Sequence, residues 1–190
     1  MKKVRLSYSL LDKWMRGQKE EALNLYLHLS TFTNKAIERG REFDKMCEEY
    51  IIKNKALPNE LGGETLINPM VKVKTILPYN EMFDLSYEMD MVDSPYIYEF
   101  KCSQAQSSAE FADTLQIPFY FMVSQIAEDE PSVKLFENIV GAWIYRFDPI
   151  YKTYDTTYIW KSESKILQVI KAIDTHGPEI YKFFENEVIL

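Results

Sequence analysis

Two acidic residues and a lysine lie near one another in a segment that alternates polar and apolar side chains. Asp90 is followed by Glu99, and Lys101 lies two positions beyond Glu99. Ser94-Pro95 between the two arms is typical of a turn, so the segment is predicted to form a β-hairpin. With the turn at these residues, Asp90 faces Glu99 across the strands, with Cβ atoms about 5 Å apart. Lys101 then points to the same side as Glu99.

The other side of this hairpin is predicted to be core. Because side chains alternate along a strand, the residues out of phase with the acids share one face. Those residues are all aromatic or sulfur-containing: Tyr87, Met89, Met91, Tyr98, Phe100 and Cys102.

Opposed carboxylates on a sheet repel each other unless a positive charge offsets them. A divalent cation is one explanation, since Mg²⁺ takes oxygen ligands and is often held by one or two carboxylates together with substrate phosphate. The alternative is an ordinary ion pair with Lys101 on a solvated strand face. The hairpin by itself leaves both interpretations open.

A third acid interrupts the apolar stripe of a predicted helix over residues 34–54. The stripe recurs every three or four positions and consists of Ile37, Gly40, Asp44, Cys47 and Ile51. A carboxylate at such a position loses hydration unless it is paired or bound to a metal. Asp44 is therefore either a metal ligand or an edge residue paired with Lys45 or Arg41. A glycine in mid-helix, here Gly40, indicates close approach of another backbone or a ligand.

A further predicted helix carries an amide and a phenol one turn apart. Ser107 and Glu110 have capping-box spacing, which predicts a helix that runs to about residue 127. Gln116 and Tyr120 share a face of it. Pro118 lies between them and is expected to kink the helix.

The remaining elements follow from periodicity and turn chemistry. Ser9 and Asp12 predict a helix over residues 9–28 by the same capping-box rule. Strands are predicted over 71–77, 83–92 and 96–102, which form an antiparallel meander, and over 139–147 and 153–160. Two more helices are predicted over 162–175 and 179–187, interrupted at Gly177-Pro178. This order indicates an α/β fold with a central mixed sheet flanked by helices.

Composition limits the class of protein. The chain has 190 residues, of which 46% are hydrophobic, enough for one globular domain with a core. It has no apolar run of membrane-spanning length and no signal-peptide pattern at its start, so we expect a cytoplasmic protein that does not bind membranes. Cys47 and Cys102 are too few for an iron–sulfur cluster and are predicted to be reduced, buried thiols.

The net charge of −7 does not by itself favour nucleic-acid binding. The first 19 residues nevertheless carry six positive charges and one negative charge. The basic N-terminal segment could therefore contact phosphate, or it could be a solvated helix face.

Taken together, these pieces resemble the PD-(D/E)XK nuclease superfamily, and within it the RecB-type and lambda-exonuclease-type branch. Ser7-Tyr8-Ser9-Leu10 resembles the N-terminal serine motif, and the segment from Glu38 to Asp44 resembles the helix with an Arg-Gly pair and a later acid. Asp90 with Glu99-Phe100-Lys101 resembles the defining pair of strands, and Gln116-x-x-x-Tyr120 resembles the motif of the next helix. All four pieces occur in the order of the family. The chain lacks the iron–sulfur cysteines of some members, and many members have His or Glu in place of Asp44.

The resemblance implies a restriction-endonuclease-like core in one domain, residues 1–190, and phosphodiester hydrolysis with Mg²⁺ or Mn²⁺. Its metal ligands would be Asp44, Asp90, Glu99 and the carbonyl of Phe100. Lys101 would orient the attacking water and stabilise developing charge. Gln116 and Tyr120 would position Lys101 or a DNA phosphate, and Ser7 and Ser9 would contact the DNA backbone. The three acids and the lysine should then converge on one pocket.

The activity that the resemblance implies is that of a DNA exonuclease acting on ends or single strands, in recombination or repair and of viral or mobile-element origin. It would work in the cytoplasm, that of the host for a viral protein, with a recombination partner protein, and its oligomeric state stays open. Two other functions fit the sequence: a structure-specific endonuclease, and a non-catalytic interaction module that keeps the nuclease fold.

Overall fold

The computed structural model describes residues 3–29, 35–128 and 138–188. Within these ranges six strands form the sheet: β1 (Val4–Leu6), β2 (Met70–Pro78), β3 (Phe83–Asp93), β4 (Tyr96–Cys102), β5 (Gly141–Asp148) and β6 (Thr153–Trp160). The helices of the same ranges are α1 (Tyr8–Met15), α2 (Lys19–Tyr26), α3 (Lys35–Asn54), α4 (Ser108–Ala112), α5 (Gln116–Glu128) and α6 (Glu163–Val188). A short 3₁₀ helix spans Asn59–Leu61.

The sheet is mixed, which confirms the predicted fold class. β2, β3 and β4 form the expected antiparallel meander, and β5 and β6 are also antiparallel. β1 pairs with β3 in parallel, and β4 pairs with β5 in parallel. Parallel neighbours need connections that leave the sheet, and the helices provide them.

One edge of β3 carries two different strands and a gap between them. β2 occupies the whole of the opposite edge, from Asp84 to Val92. β1 therefore shares the remaining edge with β4: β1 pairs with Phe83–Leu85, and β4 pairs with Met91–Asp93. No described strand pairs with residues 86–90 on that edge, so other groups must satisfy the backbone there.

The core lies on both faces of the sheet. On one face Phe43, Cys47 and Ile51 of α3 pack in a cluster with Tyr98 and Phe100 of β4. On the other face alternate strand residues join α1, α5 and α6 in a larger cluster. Among the predicted core residues of the hairpin, Cys102 is half-buried and the others are buried. Tyr87 and Met89 join the larger cluster, however, and Met91 joins the one under α3.

The N-terminal prediction was wrong in two respects. Ser7, not Ser9, caps the first helix, because its side chain accepts from the amide of Leu10. The helix predicted over residues 9–28 is two helices, α1 and α2, separated at Gly17. Gly17 has φ +75, a left-handed conformation that suits glycine.

The helix predicted from Ser107 to about residue 127 is also divided. The capping box of Ser107 and Glu110 is confirmed, but α4 ends at Ala112 and α5 begins at Gln116. Pro118 consequently lies in the first turn of α5, where a missing amide proton costs no intrahelical hydrogen bond. Pro118 therefore has no reason to kink α5, contrary to the prediction.

The predicted break at Gly177-Pro178 is absent, since α6 runs through both residues. Its buried stripe continues across this point, with Ile173 before it and Ile180 after it. A Cβ at position 177 would lie 3.0 Å from the ring of Phe83, so glycine lets α6 approach β3 closely. Packing of the continuous stripe outweighs the helix-breaking tendency of Pro178.

No helix within the described ranges combines the length and the apolar composition that a membrane span requires.

Candidate active site

The hairpin brings Asp90 and Glu99 together as its register requires. Asp93 pairs with Tyr96 and Met91 pairs with Tyr98, so Asp90 and Glu99 are the next opposed positions. Backbone pairing between β3 and β4 stops at Met91 and Tyr98, and beyond that point side-chain oxygens accept from the backbone amides. The amide of Phe100 donates to Oδ2 of Asp90 at 2.9 Å, and the amide of Asp90 lies 3.5 Å from Oε1 of Glu99.

Glu99 is the most deeply buried acid of the site, with 2% of its surface exposed. Burial and then the charge of Asp90 raise the pKa of Glu99, although Lys101 acts in the opposite direction. Nζ of Lys101 donates to Oε2 of Glu99 at 2.8 Å. Burial alone lowers the pKa of Lys101, but Glu99 and Asp90 outweigh it and raise that pKa. Lys101 is therefore an ammonium ion at neutral pH.

Gln116 and Tyr120 form a bridge across the gap in the sheet. The amide nitrogen of Gln116 donates to Oε2 of Glu99 at 3.0 Å and to the hydroxyl of Tyr120 at 2.9 Å. The Tyr120 hydroxyl donates to the backbone carbonyl of Glu88 at 2.7 Å. Both side chains thus act on Glu99 and the β3 backbone, whereas the sequence interpretation directed them to Lys101 or to DNA.

Asp44 lies near this group without joining it directly. It is half-buried on α3, and among the described residues it makes no hydrogen bond or ion pair. Burial, and next Asp90, raise the pKa of Asp44 to about 6. The alternative pairing with Lys45 does not occur, since Lys45 contacts Glu49 instead.

The stripe predicted around Asp44 is only partly correct. Cys47 and Ile51 are buried, but Ile37 is 37% exposed and Phe43 takes the buried position instead. A Cβ at Gly40 would meet no heavy atom within 4 Å, so no close backbone approach explains that glycine.

Lys72 is a member of the site that the sequence interpretation missed. Its Nζ donates to Oδ1 of Asp90 at 3.1 Å, and it lies in β2 next to β3. The alternation of Lys72 and Lys74 with apolar residues was a signal that this strand presents amines on one face. The predicted strand bounds do not place Lys72 opposite Asp90, and that register appears only in the structure, where Pro78 pairs with Asp84. Burial lowers the pKa of Lys72, but Asp90, Asp44 and Glu88 together raise it above the ordinary value.

A cleft of about 630 Å³ opens beside these residues. Ser7 and Ser9 of the N-terminal segment lie on one side of it, and Lys74 of β2 lies on another. Glu88 and Tyr120 also line it, so the cleft reaches the bridge across the gap. Its lining combines hydroxyl groups, a lysine and apolar side chains.

The oxygen donors suit a hard divalent cation. In the part of the chain that the structure describes, no three side chains of His, Cys, Asp or Glu lie close enough to form a metal cluster. Mg²⁺ does not require one, because it keeps several waters and commonly binds one or two carboxylates with substrate phosphate. Asp90 and Glu99 provide two adjacent carboxylates, and the lysines now hold one oxygen of each at 3.1 and 2.8 Å.

The cysteines are both free thiols. Cys47 is buried as predicted, and Cys102 is half-buried.

Comparison with known proteins identifies the fold. No family model and no curated protein sequence matches this chain. Among solved structures, the alkaline exonuclease LHK-Exo from Laribacter hongkongensis aligns with a TM-score of 0.53 and 13% identity, over 97% of this chain and 93% of that one. Its complex with dAMP aligns with a TM-score of 0.51 and 14% identity, over the same shares of the two chains. A phage-related exonuclease from Haemophilus somnus 129PT aligns with a TM-score of 0.51 and 11% identity, over 97% of both chains. The chain therefore shares the fold of these exonucleases.

Proposed function

We propose that this protein is a metal-dependent DNA nuclease, and specifically an exonuclease. The observation that carries the proposal is the environment of Glu99. A buried carboxylate is held by an ammonium group and an amide, next to a second carboxylate, at a gap in the sheet beside an open cleft. Acids with strongly shifted pKa values are typical of functional sites. Asp44, Asp90 and Glu99 do not line the cleft themselves, and Tyr120, which contacts both the cleft and Gln116, connects it to Glu99. The fold shared with known exonucleases adds support as an analogy.

Asp90 and Glu99 would hold Mg²⁺ or Mn²⁺, together with the Phe100 carbonyl. Asp44, which does not form a three-acid group with them in this structure, would have to move closer to join as a further ligand. A divalent ion in such a site polarises the scissile phosphate and lowers the pKa of a bound water. A water oxygen would form a bond to phosphorus while the bond from phosphorus to the leaving sugar oxygen breaks.

Lys101 would act as a cation that donates to the phosphate oxygens on which negative charge develops. In the metal-free protein, burial lowers the pKa of this amine, but Glu99 and Asp90 outweigh burial and raise it. Gln116 would be a positioning residue, because it fixes the oxygen of Glu99 that Lys101 also contacts. Tyr120 would support Gln116 from the β3 backbone.

The cleft would hold the DNA strand next to the scissile bond. Ser7, Ser9 and Lys74 line it and are suited to phosphate oxygens, which carry no sequence information. Binding should therefore weaken as salt concentration rises and should show little sequence preference. The biological setting that we attach to this activity is recombination or repair in the cytoplasm, which is what the sequence resemblance implies.

End-labelled linear DNA with Mn²⁺ or Mg²⁺ tests the proposal. The wild-type protein should degrade it, and Glu99→Ala and Lys101→Ala should not. Equal degradation by all three proteins, or none by any of them over single- and double-stranded substrates, would contradict the proposal.

A covalently closed circular substrate separates the two kinds of nuclease. An exonuclease should leave it intact while degrading the same DNA after linearisation. Cleavage of the circle, or of branched DNA in preference to ends, would favour a structure-specific endonuclease.

A non-catalytic module with the same fold is the second candidate. It is favoured by the ion pairs of Lys72 and Lys101, which already neutralise both carboxylates. Calorimetry with Mn²⁺ distinguishes the two functions. Binding that is abolished by Asp90→Ala would count against the non-catalytic module, and absence of binding would favour it.

A further inference from the structure

Lys72 has a backbone conformation that a lysine rarely adopts within a strand. Its φ is +52, in the left-handed region. The other non-glycine residues with positive φ in the described ranges, His28, Lys55, Asn138 and Lys152, lie in turns or bends outside the helices and strands. Pairing of β2 with β3 resumes on both sides of Lys72, at Val71 and Val73. Such an outlier persists only where its surroundings hold it, and outliers of this kind cluster at functional sites.

The side chain of Lys72 is directed at the acid that the proposed mechanism needs. Its amine contacts Oδ1 of Asp90, while Oδ2 is already engaged by the amide of Phe100. Oδ1 is therefore the oxygen of Asp90 through which a metal ion would bind. Asp90 is only 15% exposed, so no other approach to it is widely open.

The local charges explain why a cation is kept there. Four acids lie in or around the site: Asp44, Glu88, Asp90 and Glu99. Three amines lie among them: Lys101 pairs with Glu99, Lys72 pairs with Asp90, and Lys74 is the cross-strand partner of Glu88. Without a divalent ion, four acids therefore face three amines, and removal of Lys72 would increase the excess of negative charge.

We propose that Lys72 is a built-in counter-cation that occupies Oδ1 of Asp90 and that a divalent metal must displace, an inference that rests on the proposed metal-dependent function. Displacement leaves the amine next to the new ion, which repels it, so Lys72 turns toward another anion. Asp44 and Glu88 are the carboxylates near it in the free protein, and a DNA phosphate bound beside the metal adds a further anion that can take up the amine. Metal binding and phosphate binding then favour each other, since each gives Lys72 or Asp90 its replacement partner.

Calorimetric titration of Mn²⁺ into the DNA-free protein tests this inference. Lys72→Gly keeps the left-handed backbone and removes the amine. It should raise the affinity for Mn²⁺ about tenfold, the factor expected when a hydrogen bond to a charged group no longer has to be broken. Lys72→Arg, which keeps the charge, should bind Mn²⁺ no more tightly than the wild type.

Two controls separate this role from other effects of the substitution. Lys152→Gly removes a lysine with φ +56 from the turn between β5 and β6, and should leave Mn²⁺ affinity unchanged. Lys74→Gly removes the same charge two residues along β2, without a contact to Asp90, and should have a smaller effect than Lys72→Gly.

The outcomes are decisive for Lys72 independently of the nuclease proposal. Unchanged or weaker Mn²⁺ affinity in Lys72→Gly, or an equal gain in Lys74→Gly, overturns the inference even if the wild-type protein cleaves DNA. A gain confined to Lys72→Gly supports it even if no DNA substrate is cleaved. Absence of Mn²⁺ binding by both the wild type and Lys72→Gly overturns it as well, and the cleavage assay then decides the nuclease proposal separately.

Discussion

Two groups of charged residues on neighbouring strands, which meet where Lys101 of β4 pairs with Arg146 of β5, show how the same side-chain types serve different purposes. The first, the active-site cluster, consists of Asp44, Lys72, Asp90, Glu99 and Lys101. The second, the anchor cluster, consists of Ser108, Arg146, Asp148 and Asp155. In the anchor cluster the amide and hydroxyl of Ser108 both donate to Oδ2 of Asp155, at 2.8 and 2.7 Å, and Arg146 contacts both acids.

The pKa shifts of the two clusters have opposite signs. In the anchor cluster, backbone amides and Arg146 lower the pKa of Asp148. Burial raises the pKa of Asp155, but its hydrogen bonds with Ser108 and the charge of Arg146 outweigh burial and lower it. In the active-site cluster, burial and neighbouring acids raise the pKa of Asp44 and Glu99. The carboxylates of the anchor cluster therefore have enough hydrogen-bond donors and positive charge around them, whereas those of the active-site cluster do not. A shortage of this kind is what a metal ion can relieve, and it distinguishes a candidate site from a structural ion pair.

The sharpest contrast should come from removing the central cation of each cluster. Lys101→Met should reduce DNA cleavage by about a thousandfold or more, because charge on the phosphate loses its donor. Arg146→Met should lower the melting temperature and leave cleavage by the folded protein unchanged. Steady-state kinetics and thermal melting on both variants check this. Comparable loss of cleavage in the two variants would remove the distinction.

Within the active-site cluster, Gln116 should matter through Glu99 alone. Gln116→Ala should reduce cleavage or metal affinity about ten- to a hundredfold, as other positioning residues around metal ligands do. Gln116→Glu is a matched variant that keeps the size of the side chain but adds a further acid next to Glu99, and its cleavage should be lower than that of Gln116→Ala at neutral pH. Cleavage at saturating Mn²⁺ and Mn²⁺ titration measure the two effects, and a fully active Gln116→Ala would show that Glu99 needs no such support.

The anchor cluster should act on stability. Asp155→Ala removes hydrogen bonds to Ser108 and Arg146 and should cost about 1–2 kcal/mol of unfolding free energy, after allowance for its partial exposure. Because the pKa of Asp155 is lowered by folding, its contribution is present above about pH 4 and is lost as pH falls further. Urea unfolding at pH 7 and pH 3 measures this. An equal loss at both pH values would contradict it.

Substitution of Asp44 should have the smallest effect on the free energy of unfolding. It should stabilise the protein, whereas Asp155→Ala should destabilise it. Its pKa is raised to about 6 in the folded protein, so ionisation costs stability as pH rises from about 4 through 6. Asp44→Asn should therefore raise stability at pH 7.5 by about 0.5–1 kcal/mol, since the residue is only half-buried, and have little effect at pH 4.

Stabilisation of the wild type by added Mn²⁺ should also depend on pH. The ion should raise the melting temperature of the wild type more at pH 7.5 than at pH 5, where Asp44 and Glu99 take up protons instead. Thermal melts with and without Mn²⁺ at the two pH values provide the measurement. A larger shift at pH 5 would be inconsistent with carboxylate ligands of raised pKa.

The sequence was sufficient for the hairpin and for the antiparallel meander of β2, β3 and β4. Alternation around Ser94-Pro95 determines the register, and the register alone brings Asp90 opposite Glu99. Gln116 and Tyr120 were correctly placed on one helical face, because that depends only on spacing. These features are local, so local patterns predict them.

The errors arose where tertiary packing or a short element decides the structure. Ser9 looked like a helix cap because a three-residue strand, Val4–Leu6, gives almost no alternation signal. Pro178 looked like a helix end because periodicity cannot show that Phe83 packs against Gly177. Neither the backbone conformation of Lys72 nor its position opposite Asp90 has a signature in the sequence, because both depend on the register of β2 on β3. The roles of Asp44, Ser7 and Ser9 stay predictions.

The parallel pairing of β1 with β3 has a consequence for assembly. It joins segments roughly eighty residues apart in the chain, a long loop to close for three pairs of residues. β1 is therefore expected to dock after the β2–β3–β4 meander has formed. Val4 and Leu6 are fully buried in the core once it has docked. The Ser7 and Ser9 side of the cleft follows β1 directly, so on refolding substrate binding should recover later than the meander.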